Sequence, residues 1–303
     1  MKLQKILVPI DFSDYSDSAF QYALGFAKTV QAQLTLIHVE VLIPSLQPEA
    51  LLGTSKMEKT IRKVLDDIQE QLKERIAIAR KAGVNADYAI IQGKSAATSL
   101  LEHLQQNPYD LVIMGTHGRT GIKHFILGSI AEKLVRLSPT PVLTLHKTTR
   151  QFQLHHILIP VDFSESSLKA VDYGAEIASR FQSEITLLHV IESLPYPAFY
   201  PEGFTPTFDY DPQLRQRINE NLDPILRNSE LPVHRVIRLG TPSSEIVHYA
   251  VKKDIDLILM STRGLTGLEH ILIGSTTERV VRMSEVPVLT IERQRQGTEN
   301  LDK

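Results

Sequence analysis

Residues 110–145 read "DLVIMGTHGRTGIKHFILGSIAEKLVRLSPTPVLTL", and residues 256–291 read "DLILMSTRGLTGLEHILIGSTTERVVRMSEVPVLTI". Eighteen of the 36 positions are identical, at a constant spacing of 146 residues. Each copy opens on an unbroken apolar run, crosses a glycine-punctuated loop into an amphipathic segment, and closes on a second apolar run after a proline. Unbroken apolar runs alternating with amphipathic segments mark parallel strands covered by helices on both faces. The stretch therefore predicts an α/β fold, and its recurrence predicts that the chain contains the fold twice.

The remainder of each half agrees. Residues 5–39 align with 156–190 without a gap, with 15 identities in 35 positions at a spacing of 151. The five-residue slip falls in mid-domain, where "EALLGTSKMEKT" stands opposite "SLPYPAFYPEGFTPTFDYDP", residues 193–212, which contains a Pro- and aromatic-rich insert at 194–212. Repeats of this length are separate domains, and 303 residues suffice for two of about 150. The expected division is 1–147 and 155–293, with a polar linker at 148–154 and a flexible tail at 294–303. In the first half, strands are expected at "KILVPI", "QLTLIHV", "ADYAIIQ", "DLVIMG" and "PVLTLH". Helices are expected over 16–31, 56–81, 95–106 and 129–137, the second closed by Gly83 and the third by Asn107-Pro108. The expected architecture is two tandem doubly wound domains, each a five-stranded parallel sheet of order 3-2-1-4-5 with helices on both faces.

Composition narrows the function classes. The chain is 42% apolar and 22% charged, with a net charge of −2 and no long basic run, which argues against a nucleic-acid surface. No apolar segment approaches the ~20 residues of a membrane helix, and the N-terminus lacks a signal-peptide pattern, so a cytoplasmic location is expected. Cysteine is absent, which removes disulfides, thiolate catalysis and Cys-ligated metals. No two of the 11 histidines show an HExxH-type spacing.

In open parallel sheets, ligands bind beyond the carboxyl ends of strands where strand order reverses, here between strands 1 and 4. Strand 1 runs into Pro9, Ile10 and Asp11, and strand 4 into Met114, Gly115, Thr116, His117, Gly118 and Arg119. The counterparts are Pro160, Val161 and Asp162, and Met260, Ser261, Thr262, Arg263 and Gly264. Gly128-Ser129 and Gly274-Ser275 then open the fourth helices. A glycine before a helix lets an anion approach its free N–H groups, where the helix dipole favours negative charge. Asp11 is suited to accept hydrogen bonds from ribose hydroxyls or to hold a divalent ion. Together these features describe a nucleotide pocket; the competing reading makes the glycines simple turn residues and Asp11 a helix N-cap. No Walker loop and no dinucleotide fingerprint follows strand 1. A phosphorelay receiver would need an aspartate after strand 3, where Gln92-Gly93 stands.

At these residues the sequence resembles the universal stress protein family, specifically its tandem members, and the ATP-binding subgroup in particular. That subgroup carries Gly, two residues, Gly, nine residues, then Gly-Ser/Thr. Gly115, Gly118 and Gly128-Ser129 match in full, whereas Ser261 replaces the first glycine ahead of Gly264 and Gly274-Ser275. The resemblance implies ATP over the strand 1–strand 4 crevice, with Asp11 and Asp162 near ribose or adenine and the backbone of Val39 and Val190 at the adenine edge. It implies Met114 and Met260 and their loops at sugar and phosphates, with Gly128-Ser129-Ile130 and Gly274-Ser275-Thr276 holding the phosphate tail, often with Mg²⁺ or Mn²⁺. It also implies pairing of domains through the fifth strands, within one chain or between two copies. A packing or surface role is favoured for the recurring His38 and His189; His117, in the loop, is the exception, with phosphate contact expected. The function expected is a nucleotide-binding regulator or protector in stress, with at most slow ATP hydrolysis. The alternative is a scaffold with vestigial pockets, or one holding an apolar ligand near the aromatic insert.

Overall fold

The structure, a computed structural model, describes residues 3–41, 55–118, 127–147, 152–192, 212–262 and 274–291. The aromatic insert lies outside these residues, as do Arg119, Arg263 and Gly264. Contacts divide the chain into two compact units, Met1–Gln153 and Leu154–Lys303. The first unit runs β1 (Lys5–Pro9), α1 (Asp14–Val30), β2 (Gln33–Val41), α2 (Ser55–Lys81), β3 (Ala86–Gly93), α3 (Ala96–Gln106), β4 (Leu111–Gly115), α4 (Ser129–Leu137) and β5 (Val142–Leu145). The second runs β6 (His156–Pro160), α5 (Glu165–Phe181), β7 (Glu184–Glu192), α6 (Pro212–Leu222), β8 (Val233–Gly240), α7 (Pro242–Lys252), β9 (Leu257–Ser261), α8 (Ser275–Met283) and β10 (Val288–Ile291).

Strand order is β3-β2-β1-β4-β5 in the first unit and β8-β7-β6-β9-β10 in the second, with parallel pairing throughout each unit. Both are the doubly wound order 3-2-1-4-5. The central strands are apolar on both faces because both are covered: Ile6, Leu7 and Val8 are fully buried, as are Ile157, Leu158 and Ile159. Burying a side chain of this size contributes about 1.5–3 kcal/mol, so these strands anchor each unit.

The ladder between β1 and β4 is short, pairing only Ile6 with Leu111 and Leu7 with Val112. Proline supplies the reason. Ile10 N–H donates to the Ile37 carbonyl of β2 at 2.8 Å, so the preceding residue's N–H would face β4. That residue is Pro9, which has none. Pro160 does the same in the second unit, where Val161 N–H donates to Leu188 at 2.9 Å and β6 meets β9 at only two positions. The strands part at their carboxyl ends, and the crevice opens there.

Helix ends follow local chemistry. α1 begins at Asp14, two residues before the sequence suggests, because Ser13 caps it by accepting from Ser16 N–H at 3.2 Å. Asp11 is therefore not the N-cap. The counterpart Ser164 caps α5 from Ser167 N–H at 3.1 Å. Past the end of α2, Gly83 takes φ +84 with no atom within 4 Å of a Cβ placed on it, so glycine is needed there for conformation alone. Asn107, held extended by Pro108, ends α3 at φ −127, ψ 125. No helix among the described residues is long and apolar enough to cross a membrane.

Candidate functional site

A cavity of about 310 Å³ lies at the parted ends of β1 and β4. Of the first-half residues singled out from the sequence, Pro9, Ile10, Asp11, Val39, Met114, Gly115, Thr116, His117, Gly118, Gly128, Ser129 and Ile130 all line it. Sequence reading missed Ser16, Ile37, His38, Ala96, Leu100 and Ala131, which line it too. For His38 a signal existed: it precedes Val39 as His189 precedes Val190. The others are apolar or small residues whose periodicity marks core and nothing more.

One wall is the turn between β1 and α1. Asp11 Oδ1 accepts from Ser13 N–H at 3.0 Å and from Ser13 Oγ at 2.6 Å, which fixes the carboxylate and the helix cap together. Between them Phe12 adopts φ 64, a left-handed conformation costing a non-glycine residue about 1–2 kcal/mol. Its ring is held against His38, with centroids 4.9 Å apart, and under the Arg75 guanidinium at 5.1 Å. Arg75 in turn donates to Asp17 Oδ1 at 2.6 and 3.1 Å. His38 Nδ1 lies 2.7 Å from the Ile10 carbonyl oxygen, tethering the end of β1 to β2.

The opposite wall is built from glycines whose lack of a side chain has identifiable causes. A Cβ on Gly118 would lie 2.6 Å from Asp11 Oδ2, so the loop after β4 sits directly against the carboxylate. A Cβ on Gly128 would lie 2.9 Å from the Thr116 carbonyl oxygen, which also accepts the Gly128 N–H at 2.8 Å. That amide is thus committed. The helix amides left without intrahelical acceptors are those of Ser129, Ile130 and Ala131. All three residues line the cavity, and the N-cap, Gly128, has no side chain to cap them. Helix dipole and open amides make this end of α4 receptive to an anion. Gly115 has a different reason: a Cβ there would lie 2.8–2.9 Å from Cβ, C and O of Tyr15, so it admits the first turn of α1 rather than a ligand. Beside the cradle, Thr116 Oγ1 lies 3.1 Å from His117 Nδ1 and 3.2 Å from His146 Nδ1.

The second unit repeats the frame. Asp162 Oδ1 accepts from Ser164 N–H at 3.0 Å and Oγ at 2.6 Å, Phe163 takes φ 63, and its ring lies 4.7 Å from His189. His189 Nδ1 is 2.7 Å from the Val161 carbonyl oxygen. Gly274 N–H donates to Thr262 at 2.7 Å, and glycine again precedes an uncapped helix at Ser275 and Thr276. Pro160, Met260 and Val190 occupy the strand ends equivalent to those of the first unit. Ser261 ends β9 and is buried, its carbonyl accepting from Thr277 Oγ1 at 2.8 Å. Among the described residues, no group of three or more His, Asp or Glu side chains is placed to hold a metal ion.

This geometry has known relatives. A model described as the universal stress protein family matches residues 2–146 and again 153–292. A universal stress protein of Methanocaldococcus jannaschii is 35% identical over 140 residues, covering 45% of this chain and 81% of that protein. One from Synechocystis is 24% identical over 304 residues, covering 95% of this chain and 99% of that protein. A crystal structure of a universal stress protein from Archaeoglobus fulgidus has the same fold, with a TM-score of 0.72 at 22% identity over 97% of this chain and all of that one. With the family pattern spanning both repeats, the chain belongs to the universal stress protein family and carries its domain twice.

Proposed function

We propose that the chain is an ATP-binding regulatory protein in which each unit holds an adenine nucleotide at the parted ends of its first and fourth strands. One observation carries this reading. The uncapped N-terminus of α4, offering the amides of Ser129, Ile130 and Ala131, shares one cavity with the pinned carboxylate of Asp11. An anion receptor and a hydroxyl acceptor in a cavity of small-molecule size suit a phosphorylated sugar. Val39 and the apolar Ile10, Ile37 and Leu100 supply a surface suited to a base. In this assignment Pro9, Ile10, Asp11 and Val39 meet base and ribose, Met114 to Gly118 the sugar and phosphates, and Gly128, Ser129 and Ile130 the phosphate tail. In the second unit the corresponding set is Pro160, Val161, Asp162, Val190, Met260, Ser261, Thr262, Gly274, Ser275 and Thr276. A Mg²⁺ or Mn²⁺ ion would be held through the phosphates. Arg119, Arg263 and Gly264 belong to the same loops by sequence.

The test is direct. With nine tyrosines and no tryptophan, the chain's own near-ultraviolet band is weak, so co-purified adenine stands out beside it. Mass spectrometry of the released ligand and calorimetric titration with ATP-Mg²⁺ then count sites. Ser129 and Ser275 are exposed first residues of their helices, where an acidic residue favours the helix dipole. Ser129→Glu and Ser275→Glu are therefore expected to fold while each removes one nucleotide per chain. Retention of full stoichiometry in the double variant would sink the assignment, and a nucleotide-free chain that takes up no ATP would leave the scaffold reading.

A further inference from the structure

We propose that His38 determines base specificity, accepting a hydrogen bond from the exocyclic amino group of the base through its Nε2. The inference rests on the nucleotide reading above and deepens it. His38 and Val39 are neighbours on β2, and both line the cavity. His38 is 7% exposed, and its Nδ1 is committed to the Ile10 carbonyl at 2.7 Å. A carbonyl oxygen only accepts, so in the neutral imidazole Nδ1 carries the proton and Nε2 is the bare acceptor. Among the described residues, Nε2 takes part in no hydrogen bond.

The ring is not free to turn this acceptor away. Its tether to Ile10 fixes one nitrogen, and Phe12, itself held at φ 64, packs against it. A nearly buried acceptor in fixed orientation thus belongs to the cavity wall beside the strand end. A ligand that brings an N–H to it satisfies the acceptor, whereas one that brings a carbonyl sets two acceptors against each other. Adenine presents an amino group where hypoxanthine presents an oxygen. His189 reproduces the arrangement, with Nδ1 2.7 Å from the Val161 carbonyl oxygen and its ring 4.7 Å from Phe163. Packing alone asks for an aromatic ring, not for a ring with one nitrogen tethered and the other open.

Asparagine separates the two nitrogens, because its amide can donate where Nδ1 stood while leaving nothing where Nε2 stood. Full-length parent chain and the double variant His38→Asn, His189→Asn are titrated by calorimetry with ATP, inosine triphosphate, ATP dimethylated at the amino group, and 2′-deoxy-ATP. The parent is expected to prefer ATP over the inosine and dimethylated nucleotides by about tenfold or more. In the double variant that preference is expected to fall to within about twofold, with the 2′-deoxy ratio unchanged. A parent chain that binds ATP without discriminating against the inosine nucleotide overturns the proposal whether or not the variant folds. So does a variant that weakens all nucleotides equally, or one whose loss falls on the 2′-deoxy ratio. A parent chain that takes up none of the four overturns the nucleotide reading itself.

Discussion

Gly128→Ala offers the sharpest test of how the anion cradle is built. The added Cβ would sit 2.9 Å from the Thr116 carbonyl oxygen and 3.5 Å from His117 Cα. Both neighbours are backbone, and the same carbonyl already accepts the Gly128 N–H at 2.8 Å, so no rotamer change relieves the clash. The loop after β4 and the start of α4 must separate by a few tenths of an ångström. Overpacking of this kind costs about 1–3 kcal/mol. In a unit of about 150 residues each kcal/mol lowers the melting temperature by about 2–4 °C, so a fall of roughly 2–12 °C is expected. The same separation shifts the amides of Ser129 and Ile130, because the Thr116 carbonyl anchors the start of α4 through the Gly128 N–H. Loss of one hydrogen bond to a charged group, about 1.5–3 kcal/mol, weakens ATP at the first site by about 10–150-fold. Scanning calorimetry and ATP titration of the full chain read both effects. Ser129→Ala is the control: it alters an exposed residue one position along and removes a hydroxyl without a clash, so its melting temperature should stay at the parent value. Parent-like melting and parent-like binding in Gly128→Ala would refute the backbone-contact argument.

Three further outcomes are expected. Gly115→Ser should destabilise the first unit by about 1–3 kcal/mol, because its Cβ meets Tyr15 backbone at 2.9 Å; an unchanged thermal transition would rule out that contact as the glycine's purpose. Ser13→Ala should cost about 1 kcal/mol for the lost cap and also weaken ATP, since it removes one of the two Ser13 donors that fix Asp11 Oδ1; a variant that melts lower but binds unchanged separates the cap from the site. Burial holds His156 below its ordinary value of 6.5, outweighing the opposite pull of Glu184, so folding favours the neutral ring. Its contribution is complete above that value and is lost as pH falls through it. His156→Gln, which can still reach Thr186 Oγ1, should therefore flatten the decline in melting temperature on acidification, and an equally steep decline would contradict this.

How far the sequence could be read depended on the kind of physics each feature expresses. Strand order was legible, because apolar runs between helices are local signals, whereas the parting of β1 from β4 at Pro9 shows only in the ladder itself. The glycines of the crevice were legible as a set but not by purpose. Gly118 and Gly128 are required by atoms of Asp11 and Thr116, and Gly115 by Tyr15, partners that stand 12 to 107 residues away in the chain. The N-cap at Ser13 displaced Asp11 from that role because two serine donors were close enough to claim its carboxylate. The left-handed turn at Phe12 had no sequence signal, since aromatic residues rarely adopt it. Its recurrence at Phe163 makes it part of the frame. His38 sat in a strand pattern that explains it as core, and only the bond to Ile10 distinguishes its two nitrogens.

The differences between the two copies now carry unequal weight. Ser261 in place of Gly115 breaks the ATP-binding spacing, yet Gly115 makes room for the Cβ, carbonyl carbon and carbonyl oxygen of Tyr15 rather than for a ligand. Pinned carboxylate, left-handed phenylalanine, tethered histidine and uncapped helix all persist in the second unit. Loss of the first glycine therefore gives no reason for loss of binding. The bracing of the turn does differ. In the first unit Arg75 lies over Phe12 and is fixed by Asp17, whereas the residue equivalent to Asp17 is Leu168, 38% exposed. A strained turn held from two sides is better organised before the ligand arrives, which lowers the cost of binding. Two occupied sites are expected, the first tighter. Arg75→Met, which removes the ion pair but keeps a long apolar stem over Phe12, should bring the first affinity toward the second. Titration that resolves a single site in the parent, or an Arg75→Met first site as tight as before, would overturn the ranking.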